Sequence, residues 1–283
     1  MRFVSYETDG QPGAGIVDGD VVLPLVGVSE LGRETPTELL AAPPVDETRR
    51  LNLTDVRLRP VIPSPGKIIC VGLNYLAHVT ESGRTVPEYP ALFPKFATSL
   101  VGPFDPIRRP VESEQLDYEA ELAFVIGRPA RRVAPEEALD VVAGFTVAND
   151  VTVRDYQYRS HQWMQGKAWD ATTPLGPTLV TPDEVGGDAR GLRISLTLNG
   201  RVMQDSTTDL MIHDVATLVS IISTFTTLMP GDVVLTGTPA GVGIRREPAV
   251  FLQPGDVVTV EVEHIGHITN EVVSEARDKG DLP

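Results

Sequence analysis

The chain has 283 residues, 41% of them apolar and 22% charged, the usage of a globular protein with a sizeable core and not of a disordered one. Twenty-four basic against thirty-nine acidic residues give a formal net charge of −15. That balance argues against nucleic acid or an anionic membrane surface as partner, and it leaves any anionic ligand dependent on a local cation.

The opening "MRFVSYETDG" has no basic segment followed by an apolar stretch, since Glu7 and Asp9 arrive at once. No apolar run reaches the length of a bilayer span. The single Cys70 has no internal disulfide partner and reads as a buried core residue, so a reducing cytoplasm is the expected setting.

"MRFVSYE", "GAGIVDGDVVLPL" and "VRLRPVI" read as short strands around tight turns, with "SELGRETPTELLAAPP" a short helical or irregular insert. "PSPG" at 63–66 punctuates the chain. A small β-rich N-terminal domain (1–64) and a larger second domain (65–283) are expected on either side.

"KIICVGLNY" reads as a strand that runs into a short helix, with Asn74 as its cap and Gly83 as its stop. "RTVPEYPALFPKFATSLVGPFDP" carries five prolines and reads as a loop, a candidate lid over a site. In "LDYEAELAFV", Asp117, Glu119 and Glu121 fall at every second position, which in a strand puts them on one face. Neighbouring carboxylates about 7 Å apart repel by roughly 2.4 kcal/mol at an effective dielectric of about 20. Open solvent, basic side chains or a metal ion must offset that.

"ALDVVAGFTVAND" is an apolar strand ending in Asp150, after which "VTVRDYQYRSHQW" turns helical. "RISLTLNGRVMQDS" reads as a hairpin turning at Asn199-Gly200. "DVATLVSIISTFTTLMPGD" is the best helix, capped by Asp214, with Leu218, Ile221, Ile222, Phe225 and Leu228 as its core stripe. "GDVV" recurs at 19–22, 231–234 and 255–258 as a turn feeding a strand; the unequal spacing rules out a solenoid. The fold class is α+β, mainly β.

The chemistry sits in a few of these stretches. Glu119, Glu121 and Asp150 are carboxylates with no cysteine or histidine beside them, a hard-oxygen set suited to Mg²⁺, Mn²⁺ or Ca²⁺; Asp150 alone could equally cap a helix. His78 and Glu81 lie three apart on a short helix and share a face, as a tautomer-fixed base requires, although such pairs are also ordinary surface chemistry. "QGKAWDATTPLGP" supplies Lys167. "TGTPAGVG" supplies Gly237, Thr238 and backbone N–H groups open to an anion, without the Gly-Lys-Ser/Thr of a Walker loop.

Taken together and in order, "GLNYLAHVTE", "LDYEAELAFVIGR", "VANDVTVRDYQ", "GKAWDATTPLGP" and "MPGDVVLTGTPAGVG" resemble the signature of the fumarylacetoacetate hydrolase family over residues 66–275. The leading segment is similar to the small N-terminal domain of many prokaryotic members. The resemblance implies a mixed β-sandwich roll, a homodimer, and a divalent metal, most often Mg²⁺, on Glu119, Glu121 and Asp150. It implies substrate contacts from Arg154, Gln157, Lys167, Gly237 and Thr238, and His78, Glu81 and Lys167 as catalytic residues. The position of Glu81 on the same helix as His78 resembles the shorter, acylpyruvase-like branch.

The expected substrate is a small 2-oxo or β-diketo acid. The first expectation is C–C hydrolysis of an acylpyruvate such as fumarylpyruvate, in aromatic catabolism, with water activated by His78 and Glu81. The alternative uses the same enolate chemistry without water, as in oxaloacetate decarboxylation or isomerisation of 2-hydroxyhepta-2,4-diene-1,7-dioate. A non-catalytic metal-dependent binding protein is disfavoured by the joint presence of His78, Glu81 and Lys167. Asp117 has no ligand role and is expected in an outer shell or facing solvent.

Overall fold

A computed structural model describes residues 1–275. The chain is mainly β, built on one twelve-stranded mixed sheet and a five-stranded sheet packed against its central strands. Along its main path the large sheet runs from Leu51–Asn52 through Val21–Pro24, Gln11–Asp18 and Arg2–Thr8 to Thr173–Val180. It continues through Val142–Asn149, Ala120–Ile126 and Val233–Leu235 to Ile68–Gly72 and Ala91–Lys95. Within the large sheet the leading segment pairs with the rest at Arg2 opposite Val180 and Phe3 opposite Leu179, and its Phe3, Leu31 and Leu40 share a core cluster with Ala123, Leu175 and Val233.

The smaller sheet is ordered Arg201–Thr207, Arg193–Leu198, Val257–Val262, Gly266–Ser274 and Ile107–Arg109. Its inward side chains Ile194, Leu196, Val260 and Ile268 meet Leu122, Phe124, Phe145 and Val147 of the large sheet in one buried cluster. Each "GDVV" turn puts its glycine at positive φ, Gly19 at 60°, Gly231 at 82° and Gly255 at 92°, and a strand follows each time. Asn199 and Gly200, at φ 51° and 78°, form the hairpin turn the sequence predicts.

Helix Val215–Phe225 starts where Asp214 accepts from Thr217 N at 2.9 Å. Leu218 and Ile222 are buried, but Phe225 at the last turn is 62% exposed, because the helix ends there and the chain leaves the core before returning at Leu228.

Three expectations fail locally. Ala91–Lys95, inside the proline-rich stretch read as loop, is a strand pairing with Ile68–Gly72. It lies at the end of the sheet, where Pro94 needs no second ladder. Asn74 caps nothing: helix Leu76–Glu81 begins after Tyr75 without a side-chain cap. The buried Asn74 amide instead ties the chain to Thr236 O and to the His213 backbone.

The third concerns "LDYEAELAFV", which is not one alternating strand. Leu116–Asp117 pairs with Thr152–Val153, Tyr118 and Glu119 form a break, and Ala120–Ile126 follows with partners on both edges. Every residue from Leu116 to Gly127 is buried, since both faces are covered. Asp117 is fully buried, which excludes the solvent-facing option.

Candidate active site

Register brings the acids together. Ala120 lies opposite Asn149, so Glu119 and Glu121 flank the point where the neighbouring strand ends in Asp150. Two bonds lock the corner: Glu119 N donates to Asn149 Oδ1 at 3.0 Å, and Asp150 N donates to Glu119 O at 2.9 Å. Carboxylate oxygens of Glu119, Glu121 and Asp150 then lie within 4.8 Å of one another, all buried.

Cations hold two of the three acids. Lys167 Nζ reaches Glu119 Oε2 at 2.8 Å and Asp150 Oδ2 at 2.7 Å. Its position follows from Gly166, whose missing side chain lets the turn lie on the Gln157 backbone; a Cβ there would stand 2.5–2.6 Å from it. Arg154, on helix Arg154–Gln157, touches Glu119 Oε1 at 2.8 Å through Nη2, Asp117 Oδ2 at 2.8 Å through Nε, and Gln157 Oε1 at 3.0 Å through Nη1.

Burial alone would raise the Glu119 carboxyl, but Lys167, Arg154 and His78 outweigh it and bring it down to about 2. Glu121 is the opposite case. Burial and then the charges of Asp150 and Glu119 push it well above the carboxylate range. Among the described residues no Lys or Arg pairs with it, and its one hydrogen bond comes from Gly237 N at 2.8 Å. Gly237, expected to face substrate, thus spends its N–H on Glu121.

His78 and Glu81 form the expected pair, Nδ1 to Oε1 at 2.7 Å. Glu81 Oε2 also accepts from Gly241 N at 2.9 Å, so one carboxylate orients the imidazole and pins the glycine loop. With Nδ1 donating to Glu81, Nε2 is the free acceptor. One pocket gathers His78, Glu119, Glu121, Arg154, Gln157, Lys167 and Thr238 in its walls. Thr238 Oγ1 accepts from the buried Gln204 amide at 2.8 Å, which leaves its own proton to donate.

Sequence reasoning leaves out Lys95 and gives Asp117, expected in an outer shell or facing solvent, no partner. Lys95, fully buried on the edge strand, stands 2.9 Å from Asp150 Oδ1 and donates to Val151 O, Lys167 O and Thr173 Oγ1. Its only signal was a charge inside an apolar run, masked by the neighbouring prolines. Asp117 is a clamp: it accepts from Arg154 and from the backbone N–H groups of Gly243 and Ile244 at 2.8 and 3.0 Å.

The donor set fits a hard divalent cation. All three candidate ligands offer oxygen, Glu121 lacks a cationic partner, and the buried Asp150 Oδ1 accepts no aligned hydrogen bond despite its proximity to Lys95.

Glu119, Glu121 and His78 share one pocket, an arrangement that could hold a cation beside a proton acceptor. A family model described as fumarylacetoacetate (FAA) hydrolase C-terminal matches residues 67–273, and one described as Rv2993c-like, N-terminal, matches residues 1–60. The chain belongs to the fumarylacetoacetate hydrolase family.

It is 48% identical over 225 residues to the mitochondrial oxaloacetate tautomerase fahd2 of Xenopus laevis, covering 79% of this chain and 70% of that protein. It is 42% identical to the mitochondrial oxaloacetate tautomerase Fahd2a of Rattus norvegicus, over 92% and 85% of the two chains. Among solved structures, a fumarylacetoacetate hydrolase from Exiguobacterium antarcticum superposes with a TM-score of 0.86 at 38% identity, covering 97% of this chain and all of that one. The 2-hydroxyhepta-2,4-diene-1,7-dioate isomerase of Mycobacterium marinum does so at 0.82 and 34%, covering 98% and 100%. Among the described residues no helix is long and apolar enough to cross a membrane.

Proposed function

We propose that this protein is a Mg²⁺-dependent enzyme that moves a proton within a chelated 2-oxo acid, with keto–enol tautomerisation of oxaloacetate as the reaction that fits best. The carrying observation is the Glu119–Glu121–Asp150 cluster, two of whose acids line one pocket together with His78, itself bonded to Glu81. Support for the reaction type comes from the relatives named as tautomerases and isomerases. Glu119, Glu121 and Asp150 would hold the ion, whose charge, when bound, acidifies the carbon next to the 2-oxo group.

The chain's own groups do the rest. Lys167 and Arg154, fixed by their carboxylates, turn N–H groups and positive charge toward the substrate end, and Gln157 and Thr238 add polar contacts. In the keto-to-enol direction His78 Nε2 takes a proton from C3, leaving the electron pair in the enolate, and then delivers that proton to the 2-oxo oxygen; the reverse direction runs the same two transfers backwards. Glu81 fixes the imidazole in the tautomer that leaves Nε2 available. Hydrolysis of an acylpyruvate is the second reading, favoured by the same pair, which can take a proton from water instead of carbon.

A homodimer in a reducing compartment, cytoplasm or mitochondrial matrix, is part of the proposal. It rests on the family and on the lone buried Cys70.

The test follows the ultraviolet absorbance of enol oxaloacetate with and without Mg²⁺, alongside product analysis of acylpyruvates. Metal-dependent acceleration of enol decay, lost by about 10²-fold or more in His78→Ala, is expected. Cleavage of an acylpyruvate into two acids without any tautomerase activity would favour the second reading, and inactivity on both classes sinks the enzyme assignment.

A further inference from the structure

The catalytic pocket is polarised. Its buried end carries Glu119 and Glu121, whereas its exposed lining includes two arginines, Arg84 and Arg245. Among the described residues neither has a carboxylate within 4.0 Å, in a chain where acids outnumber bases thirty-nine to twenty-four. Cations without a carboxylate partner in so acidic a protein, both lining one pocket, are available to an anion.

Each arginine stands on its own support. Gly72 lacks the Cβ that would lie 2.2 Å from Trp163, and this lets the indole lie against the strand end. Phe93 meets that ring edge-on at 5.6 Å, and the Arg84 guanidinium sits 5.3 Å from its centroid, a cation–π distance. Arg245 closes the short turn Gly243–Arg245, whose first two N–H groups are bound by the buried Asp117. Two unrelated devices, an aromatic platform and a carboxylate clamp, therefore carry positive charge to the same opening.

Resting on the reading that a 2-oxo acid binds at the buried end, we propose that Arg84 and Arg245 form a subsite for a second carboxylate, so that the enzyme selects dianionic 2-oxo acids over monoanionic ones. Arginine forks match a carboxylate's geometry, and a charge-assisted contact of this kind is worth on the order of 10- to 100-fold in affinity.

Calorimetric titration of the Mg²⁺-loaded full chain with 2-oxoglutarate and with 2-oxopentanoate, which lacks the distal carboxylate, reads the subsite without turnover. Wild type should prefer the diacid by about 10-fold or more. That preference should fall toward unity in the Arg84→Gln/Arg245→Gln double variant and return in part with lysine at both positions.

A second arm compares KM for oxaloacetate and its 4-methyl ester; the ratio should collapse in the same variant. No preference in wild type, or an equal loss for both acids in the variant, overturns the subsite, the latter pointing to general attraction of anions. Should the double variant not fold, the single variants Arg84→Gln and Arg245→Gln are titrated instead, and a diacid preference that both retain in full overturns the subsite. Diacid preference with no oxaloacetate turnover would instead sink the tautomerase reading and leave the subsite standing.

Discussion

Asp117 shows how much one side chain can be asked to do when its environment, not its spacing, assigns the task. The sequence pairs it with Glu119 and Glu121 as a third acid on a common face, but the chain breaks at Tyr118 and Glu119, and Asp117 turns instead to Arg154 and the Gly243–Ile244 backbone. Arg154 in turn touches Glu119. Removal of the carboxylate in Asp117→Ala would strand a buried guanidinium and two N–H groups. The loss expected from breaking such a pair is about 3–5 kcal/mol, read from the shift in urea midpoint at neutral pH. A variant as stable as wild type would mean that water or a side-chain shift replaces the clamp. Glu121, left with a single N–H partner, is the acid whose charge is least answered by protein groups, so a cation has most to gain there.

At the scale of elements, the segment before helix Val215–Phe225 joins the site to the fold's periphery. Asn74, two residues after the strand that borders the pocket, accepts from His213 N and donates to His213 O, and Asp214 caps the helix. Burial lowers the His213 imidazole below its ordinary 6.5, with Asp214 opposing, and its Nε2 has no hydrogen-bond partner among the described residues. A depressed histidine favours the neutral form, so the contribution is complete above pH 6.5 and is lost as pH falls below that value. Urea midpoints at about pH 7.5 and 5.5 should therefore drop less in His213→Gln than in wild type; equal drops would assign the acid sensitivity elsewhere.

The elements were legible where local chemistry decides them. The Asn199-Gly200 hairpin, the Asp214 cap and the three glycine turns need only neighbours in sequence, as does the His78–Glu81 pair. What was illegible depends on distant partners. Strand Ala91–Lys95 exists because Ile68–Gly72 offers it an edge, and Lys95 matters because it reaches Asp150, 55 positions on. Asn74 looked like a cap because its amide has nearby N–H groups in the sequence, while its actual partners come from Thr236 and His213. Residue type marks Glu119, Glu121 and Asp150 as a hard-oxygen set and the family resemblance implies that they are ligands, but nothing in the spacing of Glu121 and Asp150 states that register would place Ala120 against Asn149.

For the whole molecule, charge decides what the site lacks. The buried cluster holds four carboxyl groups, Asp117, Glu119, Glu121 and Asp150, against three cations, Lys95, Arg154 and Lys167, so one acid is in excess; Glu121, whose carboxyl is pushed up, is the one that a proton or a dication must neutralise. Ions at such depth are screened little by salt, whereas the surface excess is screened within about 8 Å at physiological ionic strength. A dication that binds only the folded state at 100 times its Kd adds about 2.7 kcal/mol of stability. In a chain of this size that is a rise of roughly 5 °C in Tm. Protein stripped with EDTA and then given Mg²⁺ should show this rise, and NaCl at matched ionic strength should give only the smaller gain from relaxing surface repulsion. Glu121→Gln should abolish the difference between the two salts, because it removes the one ligand that no protein cation supports. If NaCl reproduces the Mg²⁺ effect in wild type, the carboxylate cluster is held by its lysines alone and the divalent site falls.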